Sequence, residues 1–512
     1  MTIKLNWLDR AIGYVAPRAA IRRGVARAAL DQTRAYDGAA MGRLTEGWRT
    51  RPTSADTEIA TSLPRLRDRQ RDLERNNPHA RKAHAVWRKN LVGTGIRPRA
   101  KEGNPEAVRA VKLWEEEWGS NRADADNQLD IYGLIDLAAG TMISGGDTVI
   151  RRRLRRKEDG FKVPLQLQVM EGDQLDHTKT GEVGNGRTAI MGVEFDAIGN
   201  RTAYWMYPQH PGNAFLSTRA GLMSRPVPAS EIIHLYRKER QQVRGVPWGS
   251  AVITELRDFD DYSLAEGMRK KIEACMVGIV LGAEDGDEAI TPAVVDAKGN
   301  TIEQFEPGMI AYARGGKDVK FNAPASSGGF RDHKSASLHS VAAGYLVPYE
   351  LLTGDLSEVS FISGRFGLVE FRGLVETIQW LCIIPMMLNQ VWAWFCEAAY
   401  FAGLLSTPDI PIEWDTPEFE SVNPIDDANA DLINMRSGKM TLFEAIAKRG
   451  RDPIAVLKEH SEIAQLLDKF GLVFDSDPRR VSKVGNEQPS TSQQAAEAAN
   501  TPPKPSRLKA VK

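Results

Sequence analysis

Asp258, Asp260 and Asp261 are the residues of this 512-residue chain whose types and spacing come nearest to metal-dependent hydrolysis. That chemistry needs carboxylates converging from several elements on one or two cations. Here all three lie on one run with Val252, Leu256 and Phe259 along its other side, and no partner carboxylates mark a matching strand end. An acidic cluster on a helix is ordinarily a solvated face. The eight histidines are scattered: His79 and His84 are five apart, His333 and His339 six apart. Two metal ligands on one helical face require a spacing of three or four.

Phosphate chemistry is no better supplied. Gly93-Thr94-Gly95 follows a helical pattern, where a dinucleotide fingerprint must follow a strand, so it reads as a helix stop. Gly316-Lys317 lacks the upstream glycine of a P-loop, because position 311 is Ala, and Asp318 stands where Ser or Thr is required. No G-x-S-x-G elbow occurs and no Ser/His/Asp set follows from spacing. The residues give no positive support for catalysis, and neither a metal nor a cofactor is expected. A metal-dependent DNA-processing enzyme is the alternative to a structural role.

The elements that position these residues are more informative. Leu66, Leu73, Ala80, Ala83 and Trp87 predict one basic helix over 63–91. A short acidic helix follows at 105–118, with Trp114 and Trp118 four apart, and another at 130–143. Between 146 and 236, short alternating runs divided by Gly, Pro and Asn predict a mostly antiparallel β region, with a hairpin turn at 198–201. A long helix is expected at 248–276 with Pro247 at its start. Short strands follow over 280–330, then helices at 332–346 and 365–402, the latter kinked at Pro385. Two or three shorter helices fit 427–469. Residues 1–60 read as a loosely ordered arm with a short helix near 18–35, and 483–512 as a disordered tail.

Net charge is zero, yet residues 1–100 hold 21 Lys and Arg against 9 Asp and Glu, a net of +12 that the remainder balances. A basic N-terminal region suits phosphates or an acidic neighbour. The stretch Arg65 to Arg99 reads as a structural helix whose arginines pair with acids of a neighbouring subunit, in preference to a non-specific phosphate binder. The three cysteines, Cys275, Cys382 and Cys396, form no C-x-x-C pair and sit in apolar runs, as reduced buried thiols do. The N-terminus lacks an apolar signal region. Residues 374–404 are strongly apolar but interrupted by Glu376, Gln379, Asn389, Gln390, Glu397 and Pro385, which favours a buried helix over a membrane span.

Several segments then occur in one order: LRDRQRDLERNNPHARKA with NLVGTGIRP, SGGDTVIRRR at 144–153, LQLQVMEGDQLD at 165–176, GVEFDAIGNRTAYWMYPQHPG at 192–212, IIHLYRKERQQVRGVPW at 232–248, EPGMI at 306–310 and VAAGYLVPYELLTGDLS at 341–357. In this order the chain resembles the lambda-type family of tailed-bacteriophage portal proteins over roughly residues 30–475. Two departures stand out. Asp147 replaces a usual Glu. A run resembling Tyr-Ser-Ser-Ala-Arg is here Phe361-Ile362-Ser363-Gly364-Arg365, which keeps Arg365 but loses a hydroxyl.

The resemblance implies an α+β portal fold that assembles as a ring, without enzymatic activity of its own. Residues 1–60 would be a flexible basic arm, 61–247 the first part of the wing, 248–279 a stem helix, 280–331 the small α/β clip and 332–352 a second stem helix. A tunnel loop would occupy 353–364, a wing helix and return segment 365–424, a helical crown 425–475 and a disordered tail 476–512. It further implies a dodecamer at one capsid vertex of the virion, assembled in the host cytoplasm, through which double-stranded DNA is packaged and ejected. Its partners would be the terminase large subunit, a head–tail adaptor, and the major capsid and scaffold proteins, with no membrane. Ser357, Glu358, Ser360, Ser363, Arg365, Asp258 and Asp261 are the candidates for the channel lining. Acids and small hydroxyls there would let a polyanion slide, where many arginines would grip it.

Overall fold

The computed structural model describes residues 52–479 apart from 102, 214–222, 275–277, 284–309, 315–318, 322–328, 358, 418, 420–422, 448–452, 475–476 and 478, together with Tyr14, Ala16 and Arg18. The expected helix at 18–35, Gly316-Lys317, Cys275, Glu358 and the tail at 483–512 lie outside the described residues. The chain divides into two compact units, Met1–Glu58 and Ile59–Lys512. In the first, the Ser54 hydroxyl accepts from the Thr57 N–H at 3.3 Å, which caps the start of a helix.

That helix, α1 (Ala55–Asn76), is followed at once by α2 (Pro78–Leu91). The single helix expected over 63–91 is therefore two. Asn77 adopts an extended conformation and its side-chain oxygen accepts from the N–H groups of His79 and Ala80, with Pro78 in the first turn. Proline cannot donate to the preceding turn and disfavours a helical residue before it, so the chain restarts there. The stop after α2 is as expected: Gly93 and Gly95 both take positive φ, and a Cβ on Gly95 would collide with the Tyr132 ring.

Strand β1 (Arg97–Ala100), α3 (Pro105–Trp118) and α4 (Ile131–Gly145) lead into the β region. Strands β2 (Asp147–Leu154), β3 (Leu165–Glu171) and β9 (Ile232–Tyr236) form an antiparallel sheet in the order β3-β2-β9. Strands β4 (Gly181–Gly184), β5 (Arg187–Ile190), β6 (Val193–Phe195), β7 (Arg201–Met206) and β8 (Arg225–Pro228) form a five-stranded antiparallel meander. The β6–β7 turn is the hairpin expected from Gly199 and Asn200; Asn200 N–H donates to the Asp196 carboxylate at 2.8 Å.

Helix α5 runs Ile253–Ala274, later than expected, because residues 249–252 form turns. A small sheet of β10 (Gly278–Ala283), β11 (Ile310–Arg314) and β12 (Val319–Phe321) mixes a parallel with an antiparallel pairing. Helices α6 (Phe330–Tyr345), α7 (Tyr349–Thr353) and α8 (Phe361–Ile378) follow. Around Pro385, where a kink was expected, ten residues, Gln379–Leu388, are π-helical and continue into α9 (Asn389–Phe401). The wider turn accommodates a residue that has no N–H to give. Strand β13 (Ile412–Asp415) pairs antiparallel with β1, and α10 (Pro424–Arg436), α11 (Leu442–Ala447) and α12 (Pro453–Phe470) end the described chain.

The core joins α1–α4, the β3-β2-β9 sheet, α5–α9 and β13. Its densest part is aromatic. Trp114 lies 5.0 Å from Trp118, 5.1 Å from Phe395 and 5.4 Å from Trp392, centroid to centroid, in edge and tilted arrangements that aromatic rings favour. Among the described residues one helix, Ile362–Phe401, is long and apolar enough to cross a membrane, and half of its most apolar window is buried in the fold. Cys382 and Cys396 are buried free thiols, and burial pushes them up to about 11 and about 12.

Candidate nucleic-acid interface

Helices α5 and α6 stand side by side. Tyr262 lies over His333, edge on, with centroids 4.4 Å apart. Ser340 donates to Glu255 at 2.7 Å, and Gly344 sits against Val252 with no room for a Cβ. Leu256 and Phe259 are buried while Asp258 and Asp261 are exposed. Asp261 pairs with Arg257 one turn away at 3.4 Å, and Asp260 accepts two hydrogen bonds from Asn77 at 2.9 and 3.0 Å. The three carboxylates are thus split among solvent, an arginine and a helix cap, and do not converge on a common point.

Helix α6 ends at Leu346 in the left-handed conformation, and α7 closes on Gly354, also left-handed. The loop beyond is short. Ser357 N–H donates to Asp355 at 3.0 Å. The Ser357 hydroxyl and that N–H, with help from Arg331 and Lys334, hold the Asp355 carboxyl below its ordinary range. Arg331, Lys334, His339, Tyr349, Asp355 and Ser357 line a pocket of about 330 Å³ beneath the loop, in which His339 and Tyr349 stack at 3.9 Å. The loop is therefore pinned beside a basic stretch of α6.

Helix α8 begins at Phe361, so Ser363 is helical where the loop was expected to run to 364, and Arg365 is helical as expected. Ser360 and Ser363 form a reciprocal cap: Ser363 N–H donates to Ser360 Oγ at 3.2 Å, and Ser360 N–H to Ser363 Oγ at 3.1 Å. Both hydroxyls are committed to the helix start. Arg365 pairs with Asp427 on α10 at 3.1 Å. Ile362, Phe366 and Val369, at i, i+4 and i+7, are 57–72% exposed and form an apolar stripe on α8. The structure thus places Ser357, Ser360, Ser363 and Arg365 along one short segment, and Asp258 and Asp261 on α5.

Much of the basic stretch Arg65–Arg99, expected to pair with a neighbouring subunit, finds acids inside the chain. Arg71 reaches both Glu171 (2.9 Å) and Asp173 (2.6 Å), Arg97 reaches Glu115 (3.2 Å), and Arg99 reaches Glu413 (2.7 Å) and Asp415 (3.1 Å). Arg88 pairs with Asp136. Glu171, Asp173 and His210 bring three ligand-type atoms together, but the Arg71 guanidinium already occupies that position as the cation.

A centre that no local pattern reveals lies deeper. Asp147, fully buried at the start of β2, accepts from Arg67 and from Arg244 Nε, the latter at 2.5 Å. His234 Nε2 lies 3.1 Å from its second oxygen, and Arg201 lies 3.1 Å from His234 Nδ1. Arg67 also donates to Gly145 O, and Arg244 to Met191 O and Gly172 O. The carboxylate ties α1, the β3-β2-β9 sheet and the 237–252 connection together, and its partners His234 and Arg244 reach Arg201 on β7 and Met191 O between β5 and β6.

The model of the family "Phage portal protein, lambda family" matches residues 41–379. A probable portal protein of Halomonas phage phiHAP-1 is 26% identical over 470 residues, which is 86% of this chain and 88% of that protein. Among solved structures, the neck of an empty GTA particle covers 80% of this chain and 98% of its own, at TM-score 0.42 and 16% identity. An HK97-family phage portal protein from Corynebacterium diphtheriae covers 72% and 96%, at TM-score 0.30 and 11% identity. With the family match covering residues 41–379, the chain belongs to the lambda family of phage portal proteins.

Proposed function

We propose that twelve copies of this portal protein close into a ring at one vertex of the capsid, and that double-stranded DNA passes through its channel. The carrying observation is the family match over residues 41–379. The geometry supports it in one respect. The exposed Asp258 and Asp261 on α5 offer a polyanion repulsion, and the cations beside the loop, Arg331 and Lys334, are set against its own Asp355 carboxylate. Each added arginine contact to phosphate would raise salt-dependent affinity and hence drag.

In this reading residues 61–247 and 365–424 form the wing, α5 and α6 the stem, 280–331 the clip, the segment around 353–364 the tunnel loop, and 425–475 the crown. The clip and wing faces receive the terminase large subunit, the head–tail adaptor, and the capsid and scaffold proteins. The motor's ATP hydrolysis belongs to the terminase. Particle mass and electron micrographs of the purified protein test the ring: twelve copies of the 56.6 kDa chain come to about 680 kDa, with a central hole. Compact particles of one chain at every concentration and salt level overturn it. The metal-dependent enzyme reading gains no observation, since its three aspartates are dispersed.

A further inference from the structure

Strand β2 presents arginines at alternate positions. Arg151 and Arg153 share a face of the sheet, and Arg155 continues it, its N–H donating to Pro164 O at 2.9 Å. Elsewhere in the body, arginines that are 19–33% exposed meet carboxylates: Arg71 pairs with Asp173, Arg99 with Asp415 and Arg152 with Glu397, at 2.6–3.1 Å. The half-buried Arg153 and Arg155 meet amides instead. Gln168 Oε1 accepts from Arg153 Nε at 2.9 Å and also from its Nη2, and Gln166 Oε1 accepts from Arg155 Nε at 2.6 Å. Gln166 is itself held, donating to Asp124 O at 2.6 Å and to Asn127 Oδ1 at 2.9 Å. These bonds orient two guanidiniums without neutralising them.

Acceptors are scarce on this face. Arg151 reaches Glu231 at 3.4 Å, and its Nε is buried without an acceptor among the described residues. Burial, with Arg151 and Arg155 alongside, pushes the Arg153 guanidinium down, and Glu231 opposes this. A cavity of about 350 Å³ opens here, lined by Arg153, Arg155 and Gln168 together with the aliphatic Leu129, Leu134 and Val169. Asp124 and Asp126 also line it, but their carboxylates accept from the N–H groups of Leu129 at 3.1 Å and Gln128 at 3.2 Å. A nucleic-acid backbone, charged along its whole length, would lie against those two acids. A single carboxylate entering from the arginine side avoids them, and a guanidinium fork matches its two oxygens. Alternate residues of an extended chain lie roughly 7 Å apart, so a segment with acids at alternate positions matches Arg153 and Arg155 together.

We infer that Arg153 and Arg155 form a docking site for an acidic, extended segment of a partner protein, with Gln166 and Gln168 as positioning residues. The site lies on the surface of one copy and stands whether or not copies close into a ring. The probe is a fluorescein-labelled peptide of alternating serine and glutamate, with a serine–glutamine peptide as control, titrated by anisotropy into the full-length protein at low salt. The acidic peptide should bind about tenfold or more tightly than the control, less so as salt rises. Arg153→Gln with Arg155→Gln should weaken it by about tenfold or more. Gln168→Glu supplies Arg153 with a carboxylate from within, so it should weaken the peptide by about tenfold while leaving the unfolding midpoint unchanged or higher. A failure to fold cannot give that pair of results.

Equal affinity for the two peptides overturns the inference. So does acidic-peptide binding that survives either variant, and so does a lowered midpoint in Gln168→Glu, which would mean that Arg153 already has its counter-charge. A short DNA duplex that loses as much affinity as the peptide in both variants makes this a phosphate site and overturns the protein partner.

Discussion

Asn77 and Asp260, 183 residues apart, are joined by one amide: Asn77 Nδ2 donates to both carboxylate oxygens of Asp260 at 2.9 and 3.0 Å. Its Oδ1 meanwhile accepts from His79 and Ala80 N–H. The same side chain starts α2 and fixes α5 against it. An aspartate otherwise suited to cation chemistry is thereby committed to architecture.

Replacing Asn77 separates its two roles. Asn77→Ala removes cap and bridge together and should cost about 2 kcal/mol. Asn77→Asp keeps a cap acceptor but sets a second carboxylate against Asp260, so it should also destabilise near neutral pH. Adding Asp260→Asn to it should recover most of the loss. Denaturant midpoints of the four proteins check this; a double variant no better than Asn77→Asp would show that the bridge carries nothing.

Stability should fall with acid in a window set by His234. Burial pushes this imidazole down to about 4, against an unfolded value of about 6.5. It is neutral when folded, donating through Nε2 to Asp147 and facing Arg201 through Nδ1. The unfolded chain takes up the proton first, so the stabilisation is complete above pH 6.5 and is lost between about 6.5 and 4. The full shift corresponds to about 3 kcal/mol. Asp147 is held far below the usual carboxylate range against its own desolvation, by Arg244 and Arg67, so its contribution persists to lower pH. Burial also lowers His79 and His177. The readout is therefore the difference between the parent and His234→Gln across pH 7 to 4, which should shrink as the pH falls.

Asp147→Asn should be among the most damaging single changes in the body. It leaves Arg244 buried without a counter-charge and Arg67 with only the more distant Asp173 at 4.0 Å, and removing one partner of a buried ion pair costs about 3–5 kcal/mol. Both arginines keep their carbonyl partners, so the variant should still fold at low temperature, with its urea midpoint sharply reduced. A loss below about 1 kcal/mol would mean that the guanidinium charges are compensated elsewhere.

Which parts of this were legible depended on distance along the chain. The acidic helix with Trp114 and Trp118, the meander and the Gly93–Gly95 stop all follow from periodicity and turn chemistry within a dozen residues. The break at Asn77 was written in the Asn-Pro pair. Leu73, Ala80, Ala83 and Trp87 keep one face across it, and that periodicity masked the signal. Ser360 and Ser363 have the spacing of a helix cap, yet in a polar run they read as loop hydroxyls. Pro385 marked an interruption, but whether it kinks or widens a helix depends on packing around it. The Asp147 centre draws residues 67, 147, 234 and 244 from four elements, and no local pattern connects them. The arginines of 65–99 looked outward for the same reason, since their acids lie as far away as Glu413 and Asp415.

Arg365 provides the sharpest test of the channel, because it has two competing roles. Its pair with Asp427 spans 3.1 Å, with side chains 43% and 40% exposed, so Arg365→Ala should change stability by less than about 1 kcal/mol. If Arg365 also meets phosphates in the lumen, the same variant should lower the salt dependence of DNA association by about one counter-ion. It should also alter the packaging rate in a reconstituted motor. Exchanging the charges, Arg365→Asp with Asp427→Arg, rebuilds the ion pair but moves the cation from α8 to α10. Packaging that stays impaired in the exchanged protein, with stability restored, assigns Arg365 to the DNA path. Packaging that recovers with the ion pair makes its role the tethering of α10 to α8, and removes it from the channel lining.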